Sequence, residues 1–161
     1  NKKRKKLNCI NSFNTNASYQ NEIVAADKNY VTIHNSDQPA EVGWISWNIP
    51  YKYSKGKLVA ATTSTTTVKS LIANNKKDKY SKYFAKNQFV TAKKLTFYNG
   101  SKVAYTVPKG KVVTLTKLSL SKDVIYLQFK YGKKTGWAHV NGTKYNFSKP
   151  WFQGVNARLA G

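Results

Sequence analysis

The chain has 161 residues, of which 40% are hydrophobic and 14% aromatic, and it carries 28 Lys and Arg against 6 Asp and Glu. That length suits one ordinary domain or two small ones, and the formal charge of +22 points to a polyanionic partner, which leaves nucleic acid, anionic lipid and anionic cell-wall polymer open. A single cysteine, Cys9, excludes a fold stapled by disulfides within the chain, and no stretch approaches the about 20 apolar residues of a membrane helix.

The first 24 residues form a basic lead that is rich in Asn and shows no periodicity. Such a segment buries too little apolar surface to order itself, so we expect it to be mostly disordered. Its basic run at residues 2–6 is typical of a nuclear-import signal or a nucleic-acid arm, although we favour a solvated tail. No apolar segment follows that run, which argues against a signal peptide. Because Met is absent, we expect a mature or excised fragment.

Alternation of apolar and polar residues begins at residue 29 and indicates a β-hairpin. Val31 and Ile33 share one face of the first predicted strand, and a polar loop follows. Val42 and Trp44 share one face of the returning strand, with Trp47 on the other face.

The stretch after this hairpin has helical spacing. Apolar residues recur within 68–72 and again within 80–84 at intervals of three and four, which predicts one or two short amphipathic helices. The Thr run at 65–67 is a candidate N-cap, although the same Thr-rich run is also compatible with a strand.

Two further hairpins are predicted beyond residue 93. Asn99-Gly100 is a strong turn signal, and Val103, Tyr105 and Val107 are expected to share one face of the strand that follows it. The second hairpin, YLQFKYGKKTGWAHV at residues 126–140, turns at its GKKT and returns through a Gly-Trp pair. Short strands separated by turns every about 8–12 residues are typical of a small barrel or sandwich, so the fold class is mainly β.

The chain contains two hairpins of similar plan. Placing Tyr30 on Tyr126 brings Gly43-Trp44 to Gly136-Trp137 after a longer loop, which predicts two related units. The predicted division is a lead of residues 1–24, a first unit of residues 25–92 and a second unit of residues 93–161.

No constellation of catalytic groups is recognisable in the sequence. The six carboxylates lie mostly in predicted loops and form no motif of paired acids. Cys9 with His34 or His139 is a candidate thiol and base, but Cys9 lies in the basic lead and nothing around it supports a nucleophile. The spacing of these three residues also predicts no zinc site. We therefore predict a protein that is not an enzyme and that has no metal or cofactor.

Two stretches resemble known wall-binding families. The hairpin at 126–140 resembles the closing hairpin of bacterial Src-homology-3-like modules, in particular the GW modules of Gram-positive surface proteins, through Tyr126, Phe129, Gly132, Gly136-Trp137 and Val140. Residues 49–98 are similar to the cell-wall-binding region of lactobacillar surface-layer proteins, through Tyr51, residues 55–59 and Lys82-Tyr83-Phe84. The resemblance implies two small Src-homology-3-like β-barrel units with the short helices between or within them, and non-catalytic attachment to the cell envelope.

The predominance of lysine over arginine favours a loosely held polymer as the ligand. Arg4 and Arg158 are the two arginines, and lysine acts as a diffuse point charge where arginine reads phosphates with a defined fork. Exposed aromatic rings offer flat faces to sugars. We therefore predict a secreted protein of the cell surface that binds teichoic acid, wall polysaccharide or peptidoglycan without inserting into a membrane. Nucleic acid is expected to bind only non-specifically. Any self-assembly is expected to use regions outside this fragment.

The predicted polymer contacts are lysines and aromatic residues of both units. They are Trp44, Trp47, Tyr51, Tyr53, Lys76, Lys77, Lys79, Lys82, Tyr98, Tyr105, Tyr126, Tyr131, Lys133, Lys134, Trp137 and Trp151. We expect the indoles of Trp44 and Trp137 to pack at the edge of a barrel core, and Trp47 and Trp151 to be exposed platforms. Two alternatives stay open, namely the wall-targeting domain of a lytic enzyme and a nucleic-acid-binding β-barrel with aromatic stacking.

Overall fold

The computed structural model describes residues 20–60, 65–72, 78–121, 124–140 and 150–155. Strands dominate this part of the chain, because β-branched and aromatic residues alternate with polar ones. In chain order they are β1 (Gln20–Ala26), β2 (Tyr30–Asp37), β3 (Ile45–Ser54), β4 (Lys57–Ala60), β5 (Thr65–Ser70), β6 (Gln88–Val90), β7 (Leu95–Asn99), β8 (Lys102–Val107), β9 (Val112–Ser121), β10 (Val124–Tyr131) and β11 (Lys134–Val140). Among the described residues there is one helix, the single turn α1 (Ser81–Phe84).

All of these strands belong to one large antiparallel sheet that does not close. The order of pairing is β1-β2-β3-β5-β9-β10-β11-β7-β8, with β4 paired to β3 and β6 paired to β9. The prediction of a mainly β protein is confirmed. The predicted boundary between residues 92 and 93 falls between β6 and β7, and both β5 and β6 pair with β9 beyond it.

The three hairpins predicted from alternation are present. β2 pairs with β3 from Asp37↔Ile45 onward, and β10 pairs with β11 from Tyr131↔Lys134 onward. Gly100 and Ser101 turn the chain between β7 and β8, immediately after Asn99 and one residue later than the predicted Asn-Gly pair, and Gly100 has a φ of 61°. Glycine adopts this left-handed conformation without steric cost, which is why the Asn-Gly signal predicted the turn to within one residue.

The first predicted helix is wrong, because residues 65–70 form strand β5. Val68 is fully buried and pairs with Trp47 of β3, while Thr67 pairs with Lys117 of β9. The side chain of Asn87 fixes the strand from a third direction, since its amide donates to the carbonyl of Val68 at 2.9 Å and accepts from the N–H of Ser70 at 2.8 Å. The β-branched run is therefore held by strand partners on both sides.

The end of the predicted disordered lead is also ordered. β1 begins at Gln20, whereas residues 1–19 lie outside the described residues. The turn from β1 to β2 is built on Asp27, whose carboxylate accepts the N–H groups of Asn29 at 2.6 Å and Tyr30 at 2.8 Å. These two hydrogen bonds lower the pKa of the Asp27 carboxyl, because they favour its charged form.

One hydrophobic cluster extends through both halves of the described chain. Its centre is aromatic: Phe89 packs edge-on against Phe84 at 5.4 Å between ring centroids, and Phe152 lies 4.9 Å from Phe89 and 5.3 Å from Phe129. From the first half, Ile45, Trp47 and Val68 join the same cluster. Each large side chain buried in this way stabilises the fold by about 1.5–3 kcal/mol relative to exposure.

The two Gly-Trp pairs do not occupy equivalent places, in contrast to the alignment predicted from the sequence. Gly43 lies in the loop before β3 with a φ of 74°, and a Cβ there would lie 2.8 Å from Cδ1 of Ile72. Gly136 lies within β11 opposite Phe129, and a Cβ there would lie 2.9 Å from Cβ of Phe97. The first glycine permits a turn, whereas the second permits close packing between strands.

Candidate functional site

The sheet of the second half has a core face and an outer face. In β10, Ile125, Leu127 and Phe129 are buried in the cluster. Tyr126 and Gln128 point the other way, because successive residues of a strand alternate between faces. We call the face that carries Tyr126 and Gln128 the outer face. Directly opposed residues of an antiparallel pair share a face, so the register shows which other side chains belong to it.

An aromatic groove of about 320 Å³ lies on the outer face. It is lined by Tyr98, Gly100, Ser119, Tyr126, Trp137, Ala138 and His139. We refer to these seven residues as the aromatic groove.

The strand register brings the rings of this groove together. Trp137 of β11 is opposite Tyr98 of β7, and Tyr126 of β10 is opposite both His139 of β11 and Ser119 of β9. The ring centroids of Tyr126 and His139 are 6.2 Å apart with planes inclined at 55°. Tyr98 is 42% exposed and Tyr126 is 36% exposed, so both rings are presented to solvent while their backbones are fixed in the ladder.

Such an arrangement suits a ligand with flat apolar faces and polar edges. The C–H groups of a sugar ring are attracted to the electron-rich face of an aromatic ring, in the same way as the edge of another ring. The hydroxyls of Tyr98 and Tyr126, the indole N–H of Trp137 and the imidazole of His139 supply donors and acceptors at the rim. The groove offers stacking and hydrogen bonding from a rigid sheet.

Exposed lysines lie on the outer face and at the β10–β11 turn. Lys117 of β9 is exposed and lies opposite Gln128 of β10. Lys130 is also exposed and lies two residues after Gln128 along β10. Lys133 and Lys134 are exposed at the β10–β11 turn. A surface with this excess of one charge raises the local concentration of polyanions.

A second depression, the polar groove, lies among β2, β3 and β5. Its volume is about 220 Å³. It is lined by His34, Ser46, Trp47, Asn48, Thr66, Thr67 and Lys69. Nδ1 of His34 and Oδ1 of Asn48 are 2.7 Å apart, which fixes both side chains, and the hydroxyl of Thr66 donates to the carbonyl of Asn48 at 2.9 Å. Lys69 is exposed and supplies the positive charge.

Of the sixteen residues predicted to contact a polymer, the structure brings Tyr98, Tyr126 and Trp137 together in the aromatic groove. Trp137 is half-buried on the outer face and is not in the core cluster of the described residues, in contrast to the expectation that its indole packs at the edge of a barrel core. Its neighbour Gly136 is the residue of the Gly-Trp pair that faces the core side.

Two of the predicted contacts are buried. Tyr105 is 5% exposed, stacks on Phe97 at 5.0 Å and donates its hydroxyl to the carbonyl of Phe129 at 2.6 Å, so it is a core residue. Burial raises the pKa of the Tyr105 hydroxyl, because the charged form is disfavoured there. Trp47 is 3% exposed and pairs with Val68, so it is not the exposed platform that the sequence predicted.

The other predicted aromatic contacts are dispersed. Tyr53 is exposed at the end of β3, and Tyr51 is half-buried, so that burial raises its pKa. Tyr131 stacks on Tyr105 at 6.3 Å, and Trp44 is half-buried before β3. Trp151 is half-buried against the core next to Phe152, so it too is not an exposed platform.

Lys79 and Lys82, two of the lysines predicted around the helices, do not line the aromatic groove. Nζ of Lys79 lies 5.1 Å from the ring centroid of Tyr80, and Nζ of Lys82 lies 5.4 Å from that of Tyr83. Each lysine is therefore placed over the tyrosine that follows it in the chain. Lys76 and Lys77 lie outside the described residues.

Several lining residues were not predicted as polymer contacts. His139 and Ser119 belong to the aromatic groove because they are opposite Tyr126 in the two neighbouring ladders. Alternation along β10 puts Tyr126 on the face opposite to that of Phe129. The neighbouring strand β9 and its register do not follow from the sequence of β10 itself. Of the residues that line the polar groove, only Trp47 was predicted as a contact, because the lining comes from three strands and forms no motif.

Within the described ranges there is no group of three or more His, Cys, Asp or Glu side chains placed to hold a metal ion. None of the helices described is long and apolar enough to span a membrane. Comparisons of the chain with protein-family models, with curated proteins and with solved structures find no match.

Proposed function

We propose that this protein attaches to the cell wall of a Gram-positive bacterium by binding a wall polymer without catalysis. The observation that carries the proposal is the aromatic groove, in which Tyr98, Tyr126 and Trp137 present rings on a rigid outer face inside a chain of charge +22. Rings hold the sugar units by stacking, and exposed lysines on the same face attract the anionic units.

The finer assignments rest on the resemblance in the sequence. Under the proposal the chain contains two Src-homology-3-like units of the kind found in surface-layer and other wall-attached proteins, and the protein is secreted to the cell surface. It acts without a cofactor, and the wall-targeting part of a lytic enzyme would use the same surface for the same ligand. The aromatic groove supports binding in all of these settings, because its lining offers stacking and hydrogen bonding but no pair of carboxylates.

Sedimentation with purified Gram-positive walls tests the proposal. At about 0.15 M salt, where charges beyond about 8 Å are screened, the protein is expected to sediment with the walls. Trp137→Ala and Tyr126→Ala are each expected to weaken retention about tenfold, a loss of about 1.4 kcal/mol. Tyr30→Ala is the matched control, since Tyr30 is exposed, lies outside both grooves and is not a predicted polymer contact. Equal retention of all three variants would remove the basis of the proposal.

A single-stranded nucleic acid is the second candidate, because exposed aromatic rings among lysines also suit stacked bases. Any protein with this charge binds nucleic acid at low salt through counterion release. Competition at about 0.15 M salt between an oligonucleotide and wall fragments, at equal phosphate concentration, separates the two. We expect the protein to bind the wall fragments in preference to the oligonucleotide. Preferential binding of the oligonucleotide would indicate that the aromatic groove binds nucleic acid.

A further inference from the structure

The aromatic groove and the polar groove lie on the same side of one continuous sheet. The register links them through directly opposed residues, namely Tyr98↔Trp137, Trp137↔Gln128, Gln128↔Lys117 and Lys117↔Thr67. Thr67 lines the polar groove. Because opposed residues of antiparallel strands share a face, these five side chains form one transverse row across β7, β11, β10, β9 and β5.

The row continues to the far end of the polar groove. Trp47 and Val68 pair on the core side, so Asn48 and Thr67, the next residues along β3 and β5, lie on the outer side. Asn48 is opposite His34 of β2. From Tyr98 to His34 the row crosses six spacings between strands of about 4.8 Å, which is roughly 30 Å along the sheet.

The two grooves differ in the chemistry that they offer along this row. The aromatic groove offers the rings of Tyr98, Tyr126 and Trp137, which suit a sugar. The polar groove offers the ammonium of Lys69 together with hydroxyl, amide and imidazole groups, which suit a phosphate or carboxylate. Neither groove is lined by a carboxylate from the described part of the chain.

The segment between the grooves also carries a cation. Lys117 is exposed and lies opposite Gln128 on one side and Thr67 on the other. The hydroxyl of Thr116 donates to Oε1 of Gln128 at 2.8 Å, which holds the Gln128 side chain beside the row. A ligand that follows the row therefore meets rings, then a fixed amide and an exposed ammonium, and then the polar groove.

We propose that the two grooves are the ends of one binding track, along which a single anionic glycopolymer lies across the strands with a glycosyl unit in the aromatic groove and an anionic unit in the polar groove. This inference rests on the proposed function and specifies how the polymer is oriented and how many of its units are bound. Linking two weak contacts on one ligand raises the affinity through effective concentration. The track therefore selects polymers long enough to span both grooves.

The experiment uses synthetic glycerol-phosphate oligomers that carry glucosyl branches, in one length that fills a single groove and in one that spans both. Affinities are measured by calorimetry at about 0.15 M salt. The unsubstituted chain is expected to bind the long oligomer at least about tenfold more tightly than the short one. Lys69→Ala and Lys117→Ala are each expected to reduce that ratio about threefold or more, and Lys69→Arg is expected to restore most of it, since the charge is kept.

Lys109→Ala is the matched control, because Lys109 is exposed at the β8–β9 turn and lines neither groove. Thermal melts of all variants show whether the fold is intact. If Lys69→Ala and Lys109→Ala lower the long-oligomer affinity equally, the positive charge acts diffusely and the track is overturned, while loss of short-oligomer binding in Trp137→Ala still supports the proposed function. If the unsubstituted chain binds neither the oligomers nor purified walls, the proposed function itself fails.

Discussion

Gly136 gives the sharpest test of how the sheet packs. A Cβ on this residue would lie 2.9 Å from Cβ of Phe97, 3.0 Å from Cε1 of Tyr105 and 3.1 Å from Cβ of Ala104. Two of these atoms are Cβ atoms that move only with their backbones, so Gly136→Ala must push β7 and β8 away from β11. Overpacking of this kind destabilises by about 1–3 kcal/mol.

A smaller effect opposes this loss. The φ of Gly136 is outside the left-handed region, so alanine fits the strand backbone and stabilises by about 0.4–1 kcal/mol through the unfolded state. We expect a net loss of about 1–2 kcal/mol, which lowers Tm by about 2–8 °C in a chain of this length.

Urea unfolding followed by circular dichroism measures the loss, with Thr135→Ala as the control because Thr135 is the exposed preceding residue of the same strand. Ala104→Gly in the Gly136→Ala background removes one of the three close atoms, so the double variant should be less destabilised than the sum of the single changes. A Gly136→Ala protein that is as stable as the parent would show that β11 does not approach β7 and β8 as described.

Four further outcomes follow from the structure. Trp137→Ala removes a half-buried side chain outside the core cluster of the described residues, so we expect a stability loss below the about 3–5 kcal/mol of a core tryptophan, together with weakened wall binding. If thermal melts show that the variant is unfolded, Trp137 is a core residue. Burial raises the pKa of the Tyr105 hydroxyl above its ordinary 10.0, so the stability that this buried hydroxyl contributes is intact below pH 10 and is lost as the pH rises towards the folded pKa. The Tm of Tyr105→Phe should therefore fall less at alkaline pH than the Tm of the parent, whereas Tyr53→Phe, at an exposed residue, should behave like the parent. Gly43→Ala combines a φ of 74° with a 2.8 Å approach to Ile72, and we expect at least about 1 kcal/mol of destabilisation in urea unfolding; an unchanged midpoint would contradict that strain. Raising salt from about 0.05 to 0.5 M shortens the screening length to a few ångströms and should release most of the wall-bound protein; retention that is independent of salt would assign the affinity to the rings alone.

The features predicted correctly from the sequence are those that depend on neighbouring residues. The turn after Asn99 and the 126–140 hairpin follow from local turn chemistry and alternation. The exposure of Val103 does not, because a bulge next to Phe97 shifts the register between β7 and β8. As a result Val103 is 61% exposed while Tyr105 and Val107 are buried, although simple alternation had placed all three on one face.

Long-range pairing explains the remaining differences. The apolar spacing within residues 68–72 also fits a helix, and the strand conformation of residues 65–70 depends on β9, which lies about fifty residues later in the chain. The aromatic groove likewise depends on the pairing of Trp137 with Tyr98 across two hairpins. The alternation of residues along one strand predicts which of its side chains share a face, whereas the identity of the neighbouring strand depends on the pairing of the whole sheet.

Strand β9 has a consequence for how the molecule assembles. Its ten residues bond β10 along one edge and both β5 and β6 along the other. Neither flank is complete until β9 has been synthesised and has joined it, so contacts between distant parts of the chain must form before the sheet gains most of its stability. Folding dominated by such contacts is slow, on the order of milliseconds to seconds. Substitutions that weaken β9 should therefore retard refolding and loosen the two flanks together in one cooperative transition.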